Sequence, residues 1–451
     1  MRIAIVAPLY ETVPPLQYGG TERVVYWLVE GLVRFGHDVT LYAAPGSRTS
    51  GQLIECGSEP FRERGLGDNS KEAEKEYVEQ LTSAFGKWSG GDFDVVHVHH
   101  TVNEWHPTAV QRLIVSNGSG RVPVVWTDHN EIGKVHKAAH ISALSNLGVG
   151  FVALSDSQRS TVPDANWLAT IHHGLPANQY GLLETKSSSS LYLAFLGRIA
   201  PEKGIGPALR IAKAAGMKLK VAAKIDSEHE EFWEGEVKPL LEGRDVDFIG
   251  QISDQQKGPF LNGAYALLFP ICWKEPFGLV MIEAMACGCP VIAYSAGSVP
   301  EVIEDGVTGF IVETEEEAVE ALKKTKALDR SRIIKRFEER FTSKKMVSKY
   351  ADVYQGIVEW AKKEYAKEKQ AKKKDKQKNK SEVEGSAQRD AILQRISPMI
   401  QTDILPVAQV LSSLVVQQQS QHIPTPRDPP LATPQVNLLT TAPDHASLET
   451  E

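Results

Sequence analysis

The opening 43 residues narrow the fold this chain can adopt more than any other stretch. Residues 2–7 alternate little and are mostly aliphatic, as a strand buried on both faces of a parallel sheet requires. Pro14, Pro15, Gly19 and Gly20 make a loop. Thr21 is placed to cap a helix over residues 22–35, and Gly36 stops it. That helix carries Val24, Val25, Leu28, Leu32 and Val33 towards a core, and residues 39–43 supply the next strand. Strand, glycine loop, helix and strand form the first unit of a Rossmann-like domain. Segments 94–98, 122–126 and 150–154 read as further strands, with helical stretches between them, one near 72–87.

The polar run 184–190 reads as a linker, so a domain boundary is expected at 186/187. A second wound unit follows. Its strands are expected at 191–196, 218–222, 246–249, 266–269, 291–293 and 310–312. Its helices are expected near 205–215, 230–242, 253–263, 279–287, 299–304 and 315–328, with a late amphipathic segment at 343–359. After Trp360 the composition changes: from Lys362 to Lys380 it is mostly lysine, and 401–451 is rich in Gln, Ser, Thr and Pro. Such a segment buries too little apolar surface to offset chain ordering, so 362–451 is expected to be mainly disordered. A transient helix over 391–416 is interrupted by Pro398 and Pro406.

The formal charge of −7 argues against a general nucleic-acid binder. Cys56, Cys272, Cys287 and Cys289 lack zinc-finger spacing and read as reduced thiols of a cytoplasmic protein. The N-terminal run is too short and strand-like for a signal peptide, and no apolar run approaches ~20 residues. The lysine run is either a solvated extension or a weak contact for an anionic surface, which would place the protein peripherally on a membrane.

The chemistry concentrates in two places. Seven residues separate Glu275 from Glu283. Pro276 and Gly278 break the chain after the first acid, so a helix starts near Gly278, carries Glu283 and ends at Gly288. Glu275 then lies in the loop ahead of free backbone N–H groups, where a phosphate can rest while the two carboxylates accept hydroxyl bonds on either side. A nucleotide sugar has that layout. Two isolated glutamates would more plainly be a loop acid and a helix-face acid. The second place is Gly197-Arg198, with Lys203 five residues after Arg198, following a strand. Two cations around a tight turn at the carboxyl end of a sheet strand suit a diphosphate and stabilise charge on it as it leaves.

The run Glu275-Pro-Phe-Gly…Glu283 with Ala-Met-Ala-Cys-Gly-Cys-Pro-Val-Ile-Ala resembles the E-x7-E signature of retaining glycosyltransferases of the family-4 type. Tyr18-Gly19-Gly20-Thr21-Glu22-Arg23, the Gly197–Gly204 stretch and Ser298-Val-Pro-Glu301…Gly309 are similar to the family's other segments, in the same order. The resemblance covers roughly residues 1–360. It implies the GT-B fold: two Rossmann-like domains, 1–186 and 187–342, facing across a cleft, with the 343–360 helix crossing back to the first. It also implies roles. Arg198 and Lys203 hold the leaving diphosphate, Glu275 bonds the donor sugar, and Glu283 bonds the ribose. Backbone amides of Phe277, Gly278 and Leu279 hold sugar and phosphate, and Gly19 and Gly20 admit the phosphate closely. Glu202 is read as orienting Lys203.

Histidines cluster in the first domain. His97, His99 and His100 end one strand, and His129 follows another in Thr-Asp-His-Asn. Strand ends face the cleft, so some of these are expected to line it, and the resemblance puts His129 nearest the donor sugar. Zinc binding by His97 and His99 is a rival reading that lacks further ligands nearby. The function implied is metal-independent, cofactor-free transfer of a hexose, with retention, from a nucleotide diphosphate sugar to a sugar, lipid-linked or small-molecule hydroxyl. A nucleotide-sugar epimerase of the same fold and a non-catalytic scaffold remain alternatives.

Overall fold

The computed structural model describes residues 1–16, 19–67, 70–86, 93–116, 122–132, 135–180, 192–226, 229–241 and 245–403. The linker at 184–190 with its 186/187 boundary, Tyr18 and the tail from 404 onward lie outside them.

Two parallel sheets organise the body of the chain. The first holds β1 (Arg2–Val6), β2 (Asp38–Ala43), β3 (Gln52–Glu55), β4 (Val95–Val98), β5 (Val124–Trp126), β6 (Gly150–Ala153) and β7 (Trp167–Thr170), in the order 3-2-1-4-5-6-7. The second holds β8 (Tyr192–Ile199), β9 (Lys218–Ile225), β10 (Val246–Gly250), β11 (Ala266–Phe269), β12 (Val291–Tyr294) and β13 (Gly309–Val312), in the order 10-9-8-11-12-13. Each sheet thus runs outward in both directions from its first strand. Ligands of such sheets bind where the order reverses, beyond the strands' carboxyl ends. Those ends are the loops after β1 and β4 in one sheet and after β8 and β11 in the other.

The helices of the first half are α1 (Gly20–Arg34), α2 (Lys71–Gly86), α3 (His106–Ser116), α4 (Val135–Asn146) and α5 (Asp156–Ser160). Those that follow are α6 (Ile205–Ala214), α7 (Glu230–Phe232), α8 (Lys238–Leu241), α9 (Asp254–Asn262), α10 (Leu279–Ala286), α11 (Val299–Val302), α12 (Glu315–Thr325), α13 (Arg330–Arg340) and α14 (Ser343–Asp403). One buried cluster runs from Ile3, Ile5 and Leu28 through Phe341 and Tyr350 to Met281 and Val291, so a shared core joins the two sheets. The chain crosses between them along paired segments: Leu175 N–H donates to the Phe341 carbonyl and Ser343 N–H to that of Leu175.

Several local expectations are corrected. Thr21 does not cap α1; the helix begins at Gly20 behind Gly19, with no side-chain cap. Val33 is only partly buried, while Trp27 and Val29 join the core face. β8 continues to Ile199, so Gly197 and Arg198 belong to the strand rather than following it. α13 was not expected; its mean composition is too polar to suggest a packed helix, yet Ile333 and Phe337 are buried. Residues 362–403, expected to be mainly disordered, continue α14 as helix, with the side chains from 365 to 392 exposed. Lys, Glu, Ala and Gln are good helix formers, which composition-based reasoning about burial overlooks.

Candidate active site

Ten residues singled out from the sequence, in seven separate elements and loops, lie along a single cleft of about 770 Å³: Gly19 and Gly20, His129, Arg198 and Lys203, Glu275, Phe277–Leu279 and Glu283. Each is delivered by a strand end or the helix behind it. The β1 loop brings Gly19 to the start of α1, and β5 is followed by His129. β8 carries Arg198 and then a single 3-10 turn, Pro201–Lys203, that presents Lys203. β11 leads into the loop holding Glu275, and Gly278, at φ 77°, turns the chain into α10.

Lys203 donates to Glu275 Oε2 at 2.8 Å, and the Trp273 indole N–H reaches the same oxygen at 2.9 Å. The ammonium also lies 4.3 Å from the Trp273 ring centroid. Glu275 Oε1 accepts no bond among the described residues. One face of the carboxylate is therefore anchored and the other is open to hydroxyl donors. Behind it, Ser298 N–H donates to the Glu275 carbonyl at 3.0 Å, and Ser298 Oγ donates to the Phe277 carbonyl at 2.8 Å. Gly297, at φ 58°, lies so close that an added Cβ would collide with the backbone oxygen and nitrogen of Glu275. Gly297→Ala should therefore displace Glu275 and lower kcat/KM roughly 10²-fold, the scale of a misplaced catalytic contact. Steady-state kinetics beside a melting curve check this; an unchanged kcat/KM would refute it.

Glu283, inside α10, is nearly fully buried and accepts from Lys257 Nζ at 2.7 Å. Burial by itself would raise its pKa. The Lys257 charge and hydrogen bond, then Arg23 and the Tyr180 hydroxyl, outweigh that and hold it below the usual carboxylate range. Arg198 meets Asp226 and Glu202, each at 3.4 Å, so Glu202 touches Arg198. Its expected partner, Lys203, is instead held by Glu275. Asp226 also meets Lys224 at 2.9 Å and Arg62, from the first half, at 3.3 Å. Burial would raise the Asp226 pKa, but Lys224 chiefly, with Arg198 and Arg62, pulls it down.

Of the four expected histidines, only His129 lines the cleft. His97 is buried between Tyr354, whose hydroxyl lies 2.6 Å from Nδ1, and Thr127, whose Oγ1 lies 2.9 Å from Nε2. His100 is buried against Gln80, and His99 lies behind His129. Among the described residues no group of three or more His, Cys, Asp or Glu could hold a metal ion. Sequence reading missed Trp273, Lys257, Asp226, Arg62 and His173, all of which line the cleft. Only Trp273, two residues before Glu275, had a local signal.

Two further contacts bridge the halves beside the cleft. Glu301 accepts from the backbone N–H groups of Asp156 and Ser157, both at 2.8 Å, and lies 3.1 Å from His172 Nε2. Arg23 meets Asp254 at 2.5 Å.

Comparison with known proteins agrees with this arrangement. A profile described as "Glycosyltransferase Family 4" matches residues 18–178, and one described as "Glycosyl transferases group 1" matches 184–340. The chain is similar to the phosphatidyl-myo-inositol mannosyltransferase of Mycolicibacterium smegmatis, with 25% identity over 69% of this chain and 81% of that one. With the protein of the same name from Propionibacterium freudenreichii it shares 27% identity over 68% and 80%. In structure it is similar to a sucrose-phosphate synthase from Thermosynechococcus elongatus, with a TM-score of 0.66 at 18% identity, covering 79% of this chain and 99% of that one. Anabaena HepE in complex with UDP and glucose gives 0.59 at 17% identity, covering 79% and 100%. With both sheets, their order and both profiles in agreement, the chain belongs to the family-4-type glycosyltransferases and has the GT-B fold.

Proposed function

We propose that this enzyme transfers a hexose from a nucleotide diphosphate sugar to a hydroxyl acceptor, with retention of configuration and without a bound metal or cofactor. The observation that carries the reading is Lys203 on a glutamate whose Oε1 remains open, with Arg198 lining the same cleft. The charge of the cleft fits the donor. Six cationic side chains line it, including Arg62, Lys224 and Lys257, against the four carboxylates of Glu22, Asp226, Glu275 and Glu283. Cations from six positions around one cleft suit a bridging diphosphate.

Glu275 Oε1 accepts hydroxyl bonds of the hexose, and Glu283 accepts those of the ribose. Phe277 and the start of α10 at Leu279 receive the diphosphate on backbone N–H groups, with the helix dipole in support. Lys203 and Arg198 stabilise the negative charge that grows on the leaving phosphate. As the bond from the anomeric carbon to phosphate breaks, the acceptor oxygen bonds that carbon on the same face. Its proton passes to a leaving phosphate oxygen. The reaction belongs in the cytoplasm, and the exposed lysines from Lys362 to Lys380 offer a weak contact for an anionic membrane surface. Among the described residues no helix is long and apolar enough to cross a membrane.

Relatives named as mannosyltransferases, a structural neighbour solved with UDP-glucose and another bound to ADP suggest the donors to try: GDP-mannose, UDP-glucose and ADP-glucose. One should raise the melting temperature of the purified protein in proportion to the logarithm of its concentration. It should also turn over in the presence of a chelator. Activity abolished by the chelator and restored only by magnesium or manganese would overturn the metal-independent mechanism.

A further inference from the structure

His129 does not stand alone in the cleft wall. Its Nε2 lies 2.9 Å from Nδ1 of His99, just past the end of β4, and its Nδ1 has no partner among the described residues. His99 is 1% exposed, and its Nε2 is buried with no hydrogen-bond partner. On its other side His129 stacks on His173, at 5.1 Å between centroids and 17° between planes. His173 also lines the cleft, packs edge-on against Phe277 at 4.9 Å, and has a buried Nδ1 with no partner. Burial keeps these rings neutral: it pulls His129 down to about 3 and His99 and His173 well below the usual histidine value.

A bond between two neutral imidazoles has one N–H and one lone pair, so the proton has two arrangements. If His129 donates, His99 must carry its own proton on Nε2, leaving a buried N–H with nothing to receive it. If His99 donates from Nδ1, only a lone pair is orphaned at Nε2. Orphaned buried N–H groups are the rarer of the two in folded proteins. The second arrangement puts the His129 proton on Nδ1. The same choice at His173 leaves its buried Nδ1 unprotonated and puts the proton on Nε2.

We infer that His99 is a positioning residue that sets the tautomer of His129, so that His129 Nδ1–H and His173 Nε2–H present two donors to hydroxyl oxygens of the transferred sugar. This rests on the transferase reading above and deepens it. With its Nε2 lone pair already accepting from His99, neutral His129 has none left to take a proton. It acts as a donor throughout rather than as a base, and the acceptor's proton is left to the departing phosphate. Glu275 accepts from the sugar while the two histidines donate to it, so the wall discriminates hydroxyl orientation by bonds of both senses.

The test uses the full chain and whichever of GDP-mannose, UDP-glucose or ADP-glucose proves to be its donor. In 15N-histidine spectra, with His129 assigned by His129→Asn, its proton should sit on Nδ1, and His99→Leu should release it to both tautomers. His99→Asn, which keeps a side-chain N–H near the place of Nδ1, should hold KM for the nucleotide sugar within about threefold. His99→Leu should raise it roughly five- to tenfold, the scale of one net hydrogen bond. Binding of the free nucleoside diphosphate should be alike in all three proteins. A His129 proton on Nε2 in the wild type, or equal KM values for the Asn and Leu variants, would overturn the inference. Failure of the wild type to bind the free nucleoside diphosphate would instead overturn the transferase reading, since the spectra need no donor.

Discussion

Lys203→Ala is expected to lower kcat roughly 10²- to 10³-fold, the effect of removing an electrostatic contact made to charge that grows only as the glycosidic bond breaks. The geometry adds a second component. In the wild type the ammonium sits on Glu275 Oε2, which among the described residues otherwise receives only the Trp273 N–H. Without Lys203, the proposed diphosphate would face a carboxylate with no cation in contact among the described residues. Glu275→Ala should fail differently. In the proposed reaction it removes a hydroxyl acceptor used in both the bound donor and the transition state, at a cost of about 1–3 kcal/mol. It should therefore raise KM and erode discrimination between the best donor and its epimer. Because the two groups touch, the double variant should lose less than the product of the single losses. Melting temperatures without ligand should stay near wild type, since both side chains reach the cleft, where water can replace the lost partner. Kinetics on donor and epimer with melting curves decide the matter; early unfolding of either variant, or full activity in both, would remove these residues from the mechanism.

How much of this could be read from the chain depends on whether the signal was local. Gly278 could be seen as the turn into α10 because the glycine, the broken run before it and the apolar helix after it are contiguous. Arg198 and Lys203 were legible for the same reason. Their partners were not. Asp226 and Lys257 look like solvated charges, and only the sheet order brings Asp226 to Arg198 and α9 beside Glu283. The two short strands β3 and β7 were missed because neither is fully buried and four residues, Gln-Leu-Ile-Glu or Trp-Leu-Ala-Thr, leave no run of β-branched residues to find.

The histidines show a subtler failure. The expectation that strand ends face the cleft held for His129 but not for His97, which alternation along β4 turns onto the sheet face covered by Tyr350 and Tyr354 of α14. That covering helix begins some 250 residues later, and nothing near His97 announces it. The same contact determines how much of the C-terminal segment the fold requires.

Cutting the chain at two places in α14 should give opposite results. Deleting 361–451 removes exposed helix and tail, so folding and turnover on a soluble acceptor should be nearly unchanged. Deleting 343–451 should leave no cooperatively folded protein. That cut strips Met346, Val347, Tyr350, Tyr354, Ile357 and Val358, none more than 8% exposed. At about 1.5–3 kcal/mol for each large buried apolar side chain, the loss is on the order of 10 kcal/mol. A whole domain is stable by only about 5–15 kcal/mol. The damage is also specific. Val347 fills the space that the missing side chain of Gly31 leaves on α1, and the Tyr354 hydroxyl satisfies the buried Nδ1 of His97. Tyr354→Phe separates that bond from the packing and should cost about 1–3 kcal/mol without unfolding the protein. Calorimetry and solubility of the two truncations settle the point. A cooperative melt from the chain ending at Thr342 would show that α14 is dispensable, and precipitation of the chain ending at Trp360 would show that the lysine-rich segment supports the fold.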